Sequence, residues 1–112
     1  IEQIMVVGEG EKMPGAIIQP SFDFIRDWID HKNLKIGKSE KEIATSEVVI
    51  NRIQKEVDKY NKHFGKWEQI KRFELTPEAW SIDDGHLTPT MKMKRSIIRE
   101  KYDALYEKIY RP

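Results

Sequence analysis

Three cations stand close together in the stretch His86-Leu87-Thr88-Pro89-Thr90-Met91-Lys92-Met93-Lys94-Arg95. Further along, apolar residues recur at helical spacing, at Ile98, Tyr102, Leu105 and Ile109. This period predicts a helix that begins close to Thr90, with Thr90 as its N-cap. Its first turn would hold Lys92, Lys94 and Arg95 where the helix dipole favours negative charge, at a penalty of about 0.3–1 kcal/mol each. Because helix N-termini and cations together bind phosphates and carboxylates, the stretch is a candidate anion-handling loop. A solvated basic turn is the alternative that spacing alone leaves open.

The other chemistry-bearing residues indicate no second site. His31, His63 and His86 lack the i, i+4 spacing of a helical metal site and are predicted to be surface or partly packed residues. Asp83 and Asp84 precede a glycine, which is typical of a tight turn. The sequence has no cysteine, no serine-centred elbow and no phosphate-cradling glycine loop, so we expect no metal site and no complete nucleotide pocket in this chain.

Composition limits the class of protein. The 112 residues fit one domain, 1–112, large enough to bury roughly 65% of its unfolded surface. Lys and Arg number 20 against 19 Asp and Glu, and this near-neutral balance argues against a nucleic-acid partner. No apolar run approaches the ~20 residues that span a bilayer. We expect a cytoplasmic protein and, since the chain starts without methionine, a fragment or processed piece.

The first half of the chain predicts two strands and three helical segments. Gln3–Val7 and residues 16–18 are apolar runs joined by a glycine-containing turn, which favours an antiparallel hairpin. Ser21 is a candidate cap for a helix over residues 22–32. Residues 39–42 fit a capping box for a short helical turn. Ser46 precedes a long amphipathic helix for which Gly65 is the expected stop.

The second half predicts a strand over residues 69–75 and a single turn from Thr76-Pro77 to Trp80. Ile82 and Leu87 flank the Asp83-Asp84-Gly85 turn, so a small hairpin is expected to present residues 88–92 before the last helix. Trp28, Trp67 and Trp80 are interpreted as core aromatics. The element order predicts an α+β fold, a small and mostly antiparallel sheet with helices packed on its faces.

Several of these residues also resemble a known family. Leu87-Thr88-Pro89-Thr90-Met91-Lys92-Met93-Lys94-Arg95, with Phe73-Glu74-Leu75-Thr76-Pro77-Glu78 and Trp80-Ser81-Ile82-Asp83-Asp84-Gly85 before it, closely resembles the C-terminal domain of AMP-forming long-chain fatty acid–CoA ligases. The start, Ile1-Glu2-Gln3-Ile4-Met5-Val6-Val7-Gly8, is similar to the family segment after the hinge. The resemblance covers essentially the whole chain.

This resemblance implies a mobile lid on a larger N-terminal domain, absent from this sequence. Such enzymes join a fatty acid to the α-phosphate of ATP, and the lid then rotates so that coenzyme A attacks the acyl-adenylate. The position matching the catalytic lysine is Lys92; Thr88, Thr90, Lys94 and Arg95 are secondary candidates for substrate binding. ATP, coenzyme A and Mg would act in the full enzyme, and none is expected on the fragment. Many members have glycine before the lysine, whereas this chain has Met91, which limits backbone freedom.

Two other functions stay open. The chain could be a non-enzymatic module that binds an acidic partner or nucleic acid through its basic turn and the region from Lys35 to Lys41, although the near-neutral charge weighs against this. It could also be the lid of an adenylate-forming ligase with another acyl specificity, because the acyl pocket would lie in the absent domain. Membrane contact is expected only of a full enzyme.

Overall fold

A three-stranded sheet lies at the centre of the computed structural model, which describes residues 3–8, 10–66 and 68–111. The strands are β1 (Gln3–Val7), β2 (Gly15–Gln19) and β3 (Arg72–Leu75), in the order β1-β2-β3. Strands β1 and β2 pair antiparallel, with Val7 opposite Gly15. Strand β3 joins β2 in parallel, with Ile18 opposite Leu75. Every residue of β2 is buried, as expected of the central strand.

Five helices complete the described part of the chain: α1 (Phe22–His31), α2 (Glu40–Thr45), α3 (Glu47–Asn61), α4 (Arg95–Lys101) and α5 (Asp103–Tyr110). Neighbouring residues of β2 point to opposite faces of the sheet. Ala16 and Ile18 belong to a core with α1, α2 and α3, whereas Ile17 belongs to a second core with Trp80, Leu87 and α4. The sheet therefore separates two apolar cores, and the candidate loop is attached to the second.

The α+β prediction is confirmed. Strand β1 has the predicted bounds and β2 exceeds its prediction by one residue at each end. The sheet is mixed, because β3 runs parallel to β2 after the long excursion through three helices. Glu9, within the turn between β1 and β2, lies outside the described residues, as does Trp67.

Three details of the helix predictions are wrong. Helix α3 ends at Asn61, four residues before the expected Gly65 stop, because the Asn61 side chain bonds both the N–H and the carbonyl of Ile70 and fixes the chain there. Residues 76–80 form a bend and an extended segment, not a helical turn, since the Thr76 N–H donates to Ile18 and continues the β2–β3 pairing. The last helical region starts at Arg95, with Lys94 as N-cap, and not at Thr90.

No helix among the described residues is long and apolar enough to cross a membrane.

Candidate functional site

Residues 87–93 form a miniature hairpin. Leu87 and Met93 make an antiparallel bridge, and inside it the Thr88 N–H donates to the Lys92 carbonyl at 2.8 Å. The loop of three residues between them closes through a bond of 2.8 Å from the Met91 N–H to the Thr88 carbonyl. The hairpin therefore lies further along the sequence than predicted, because its chain reversal is at Pro89. The predicted turn at Asp83-Asp84-Gly85 also forms, but it is not the turn of this hairpin. Lys92 therefore lies between a tight loop and the bridge residue Met93.

Met91 has a left-handed backbone, with φ of 64°. A three-residue hairpin loop commonly places its last residue in this conformation, and glycine is usual there because it has no Cβ. The glycine that many family members are expected to have before the lysine would fit this position. With methionine the loop keeps the same turn at the cost of backbone strain, of about 1–2 kcal/mol.

The side chain of Thr88 holds the loop from within. Its Oγ1 accepts a hydrogen bond from the Lys92 N–H at 3.1 Å and lies 3.1 Å from the Thr90 Oγ1. Two of the four secondary candidates, Thr88 and Thr90, are thereby brought together on the hairpin. Both contacts act on the backbone that carries Lys92.

The base of the hairpin is buried. Leu87 is 1% exposed and packs in the second core, while the Lys94 N–H donates to the His86 carbonyl at 2.8 Å. At the tip, by contrast, Met91 is 55% exposed and Lys92 is exposed. Among the described residues, no carboxylate lies within ion-pair distance of Lys92. The arrangement offers an ammonium group to an anion on another surface.

His86 is fully buried, so the prediction of a surface or partly packed histidine is wrong for this residue. The Ser81 N–H donates to its Nδ1 at 3.1 Å, and the Lys101 Nζ lies 2.8 Å from its Nε2. A charged ring would present N–H groups to both of these donors. Burial, and then the charge of Lys101, lower the pKa of His86 below its usual 6.5, against smaller opposing effects of Asp84 and Glu78. No local period marks His86 for burial; the hairpin that follows brings it inside.

The other two cations separate from Lys92. Lys94 caps α4 and is half-buried. Arg95 donates from Nη2 to the Val6 carbonyl at 2.6 Å, on the side of β1. The expected cluster of three cations in one helical turn is therefore not formed, because the hairpin takes up the residues that the apolar period assigned to the helix. No group of three His, Asp or Glu side chains suited to a metal occurs among the residues that the structure describes.

The chain is similar to several known proteins. No family model matches the chain. A long-chain-fatty-acid–CoA ligase of Mycobacterium tuberculosis is 33% identical over 110 residues, which are 98% of this chain and 18% of the relative. The human long-chain-fatty-acid–CoA ligase 1 is 31% identical over 113 residues, 98% of this chain and 16% of the relative. The adenylation domain of a carboxylate reductase from Mycobacterium chelonae superposes on the whole chain with a TM-score of 0.65 at 16% identity, over 16% of that protein.

Over nearly its whole length, the chain is similar to a segment of long-chain fatty acid–CoA ligases. The chain spans less than a fifth of the length of these relatives. Its matched relatives are fatty acid–CoA ligases, which supports a domain of an adenylate-forming acyl-CoA ligase. The likeness to the carboxylate reductase structure concerns the fold alone.

Proposed function

We propose that this chain is the C-terminal adenylate-forming domain, and thus the lid, of a long-chain fatty acid–CoA ligase. Such an enzyme activates the fatty acid with ATP to acyl-AMP, releases pyrophosphate, and forms acyl-CoA after the lid rotates. The observation that carries the proposal is an exposed lysine, Lys92, at the end of a hairpin whose base is buried. The N-terminal domain would be its partner, and the fatty acid, ATP and coenzyme A would bind largely there.

In the adenylation step Lys92 would act as a delivered cation. A carboxylate and a triphosphate repel each other as they approach, and a fixed positive charge stabilises the charge that develops between them. Lysine suits this role because it is a compact charge on a long stem. Among the described residues, no carboxylate forms an ion pair with Lys92. The lysine can therefore reach such a site without first breaking an ion pair.

The hairpin explains how the lysine can arrive and leave. Its base is fixed by Leu87 in the core and by the hydrogen bond from the Lys94 N–H to the His86 carbonyl, so we expect it to move together with the domain. Thr88 keeps the Lys92 backbone in one geometry during each approach. Domain rotation can then remove Lys92 and admit coenzyme A without remodelling the loop.

The secondary candidates receive smaller roles. The Thr90 hydroxyl and the Lys94 ammonium lie on or beside the hairpin, where they can contact phosphate oxygens that Lys92 approaches. Mg would need oxygen ligands, and since the described residues contain no acidic cluster, those ligands would come from the N-terminal domain.

The decisive variant is Lys92→Ala in the full-length ligase. We expect the adenylation rate, measured as pyrophosphate release from ATP and palmitate, to fall roughly 10²–10³-fold, the usual loss for one preorganised charge-stabilising group. Thioester formation from preformed acyl-adenylate should change little. Lys55→Ala, which removes an exposed lysine from α3, is the matched control and should leave both steps intact. Equal loss in both half-reactions would remove Lys92 from this role.

Acyl chain length is a separate part of the proposal. The long-chain assignment is supported by the names of the similar ligases. Competition between acids of different length in the full-length ligase tests it. A preference for aryl or medium-chain acids would contradict the long-chain assignment but leave the proposed role as a lid unchanged.

A further inference from the structure

A cleft of about 780 Å³ lies between the β1–β2 hairpin and helices α4 and α5. One wall is the end of β1 with the turn that follows it, including Val6, Gly8 and Lys12. The other wall is formed by Arg95, Arg99 and Tyr106. A cleft of this volume is in the range that holds a drug-sized ligand. Lys92 is not among its lining residues, so this is a place distinct from the candidate catalytic loop.

The two arginines are held in place before any ligand arrives. Arg95 uses one N–H on the Val6 carbonyl at 2.6 Å. Arg99 donates to Asp103 at 2.6 Å, and its guanidinium carbon lies 3.4 Å from the centre of the Tyr106 ring. Each guanidinium has five N–H donors, so most of them stay available. Arginines that are fixed by their neighbours lose little conformational entropy when they bind an anion.

Their spacing suits two neighbouring phosphoryl groups. Arg95 and Arg99 are four residues apart on α4, about 6 Å along the helix axis and on the same face. Like charges at this spacing repel each other in an isolated helix, and a bridging anion would remove that repulsion. Planar guanidinium groups bind phosphate oxygens in pairs, which a lysine cannot do.

Among the described residues that line the cleft, Glu11 is the one carboxylate, and it is already engaged. Glu11 accepts hydrogen bonds from the Tyr106 hydroxyl and from Arg111, both at 3.1 Å. Among the described residues, Arg95 and Lys12 have no carboxylate within 4 Å. The described lining therefore has an excess of positive charge, with three cations against one carboxylate.

We infer that this cleft binds a diphosphate group, either as free pyrophosphate or as part of a nucleoside diphosphate, through Arg95 and Arg99 with Lys12 on the opposite wall. The inference does not depend on the role of Lys92. It assigns Arg95 to an anion site on the β1 side rather than to the catalytic hairpin.

Titration of the 112-residue chain at low ionic strength tests this, followed by NMR of the backbone amides and by calorimetry. Pyrophosphate and ADP should bind saturably and shift the amides of Val6, Gly8 and Arg95. Arg95→Gln and Arg99→Gln should each weaken binding roughly tenfold, the usual effect of losing a charge-assisted hydrogen bond. Equal affinity for pyrophosphate and ADP identifies the diphosphate as the recognised group, and tighter ADP binding adds the nucleoside.

The double variant Lys55→Gln/Lys59→Gln is the matched control, since it removes two exposed cations one helical turn apart on α3. It should leave the affinity unchanged, and so should Lys92→Ala. Because Arg99 packs on Tyr106, thermal melting must show that Arg99→Gln is folded. If it is not folded, the affinities of Arg95→Gln and Lys12→Gln for pyrophosphate test the inference. Equal loss in the α3 control, binding of AMP or orthophosphate as tight as that of pyrophosphate, or no saturable binding would each overturn the inference.

Discussion

Two residues near the candidate loop are in conformations or environments that cost free energy. Met91 adopts a left-handed backbone immediately before Lys92, and His86 is a fully buried imidazole below it. Met91 lies within the hairpin, and His86 directly precedes it. Both can therefore be tested by stability measurements on the chain itself.

Met91→Gly should stabilise the domain. Glycine adopts positive φ without strain, and relief of that strain stabilises the folded state by about 1–2 kcal/mol. The greater conformational entropy of glycine in the unfolded chain offsets part of this stabilisation. The side chain is 55% exposed, so little apolar burial is lost. We expect a net gain of about 0.5–1 kcal/mol in the free energy of unfolding, measured in urea. Met91→Ala, which keeps the strain, should show no such gain; a destabilised glycine variant would contradict the left-handed assignment.

His86 should make stability depend on pH. Its pKa in the folded protein is lowered from 6.5, mainly by burial and then by Lys101, so between that lowered value and 6.5 the unfolded chain binds more protons. Stability should therefore fall as the pH drops below about 6.5 and level off above it. Lys101, Glu78, Asp84 and Tyr102 are the titratable or charged groups around the ring.

The measurement is urea unfolding at several pH values between 5 and 8. His86→Gln should flatten the curve in this window, whereas His31→Gln, at an exposed position, should preserve it. An unchanged slope in His86→Gln would show that another group is responsible.

At the scale of elements, the helix N-termini differ in how they are capped. Ser39 accepts a hydrogen bond from the Glu42 N–H at 3.2 Å and donates to the Glu42 carboxylate, so the predicted capping box is present in part. Ser21 precedes α1 in the same position, yet its side chain makes no capping hydrogen bond. Similar sequence signals thus have unequal structural roles.

Ser39→Ala should lower the free energy of unfolding by about 1 kcal/mol, the usual cost of losing a helix cap. Ser21→Ala is the paired control and should change it by only a few tenths, because there is no side-chain bond to lose. Chemical denaturation of both variants at one pH compares them directly. Equal losses would mean that Ser21 caps α1 in solution.

These elements also mark where sequence reasoning succeeds. Strand β1 and helices α1 and α3 were predictable because their apolar periods are local and uninterrupted. The start of α4 was not predictable from the sequence. Thr90 has the residue type of a helix N-cap, whereas in the structure the residues around it form a hairpin closed by the bridge from Leu87 to Met93. The parallel partner of β2 and the burial of His86 depend on contacts that no local pattern contains. Lys92 was identified from the family resemblance, and its role remains a prediction.

At the scale of the whole molecule, the domain has its own two cores. Helices α1, α2 and α3 cover one face of the sheet, and the candidate hairpin with α4 and α5 covers the other. The chain should fold by itself. A complete active site would need the N-terminal domain.

The 112-residue chain should therefore release no pyrophosphate from ATP and palmitate and form no acyl-CoA. A cooperative thermal transition in the same sample is the control, since it shows that inactivity is not caused by misfolding. The full-length ligase under identical conditions gives the positive reference. Pyrophosphate release by the chain alone would overturn the lid proposal.

The division of the interior by β2 has a consequence for how such a domain can diverge. Because Ala16 and Ile18 face one core and Ile17 the other, a volume change among α1, α2 and α3 is absorbed on its own side of the sheet. Lineages can then accumulate substitutions and loop insertions on that side without shifting the lysine. A protein engineer could recombine the outer helices between homologues and keep the hairpin intact.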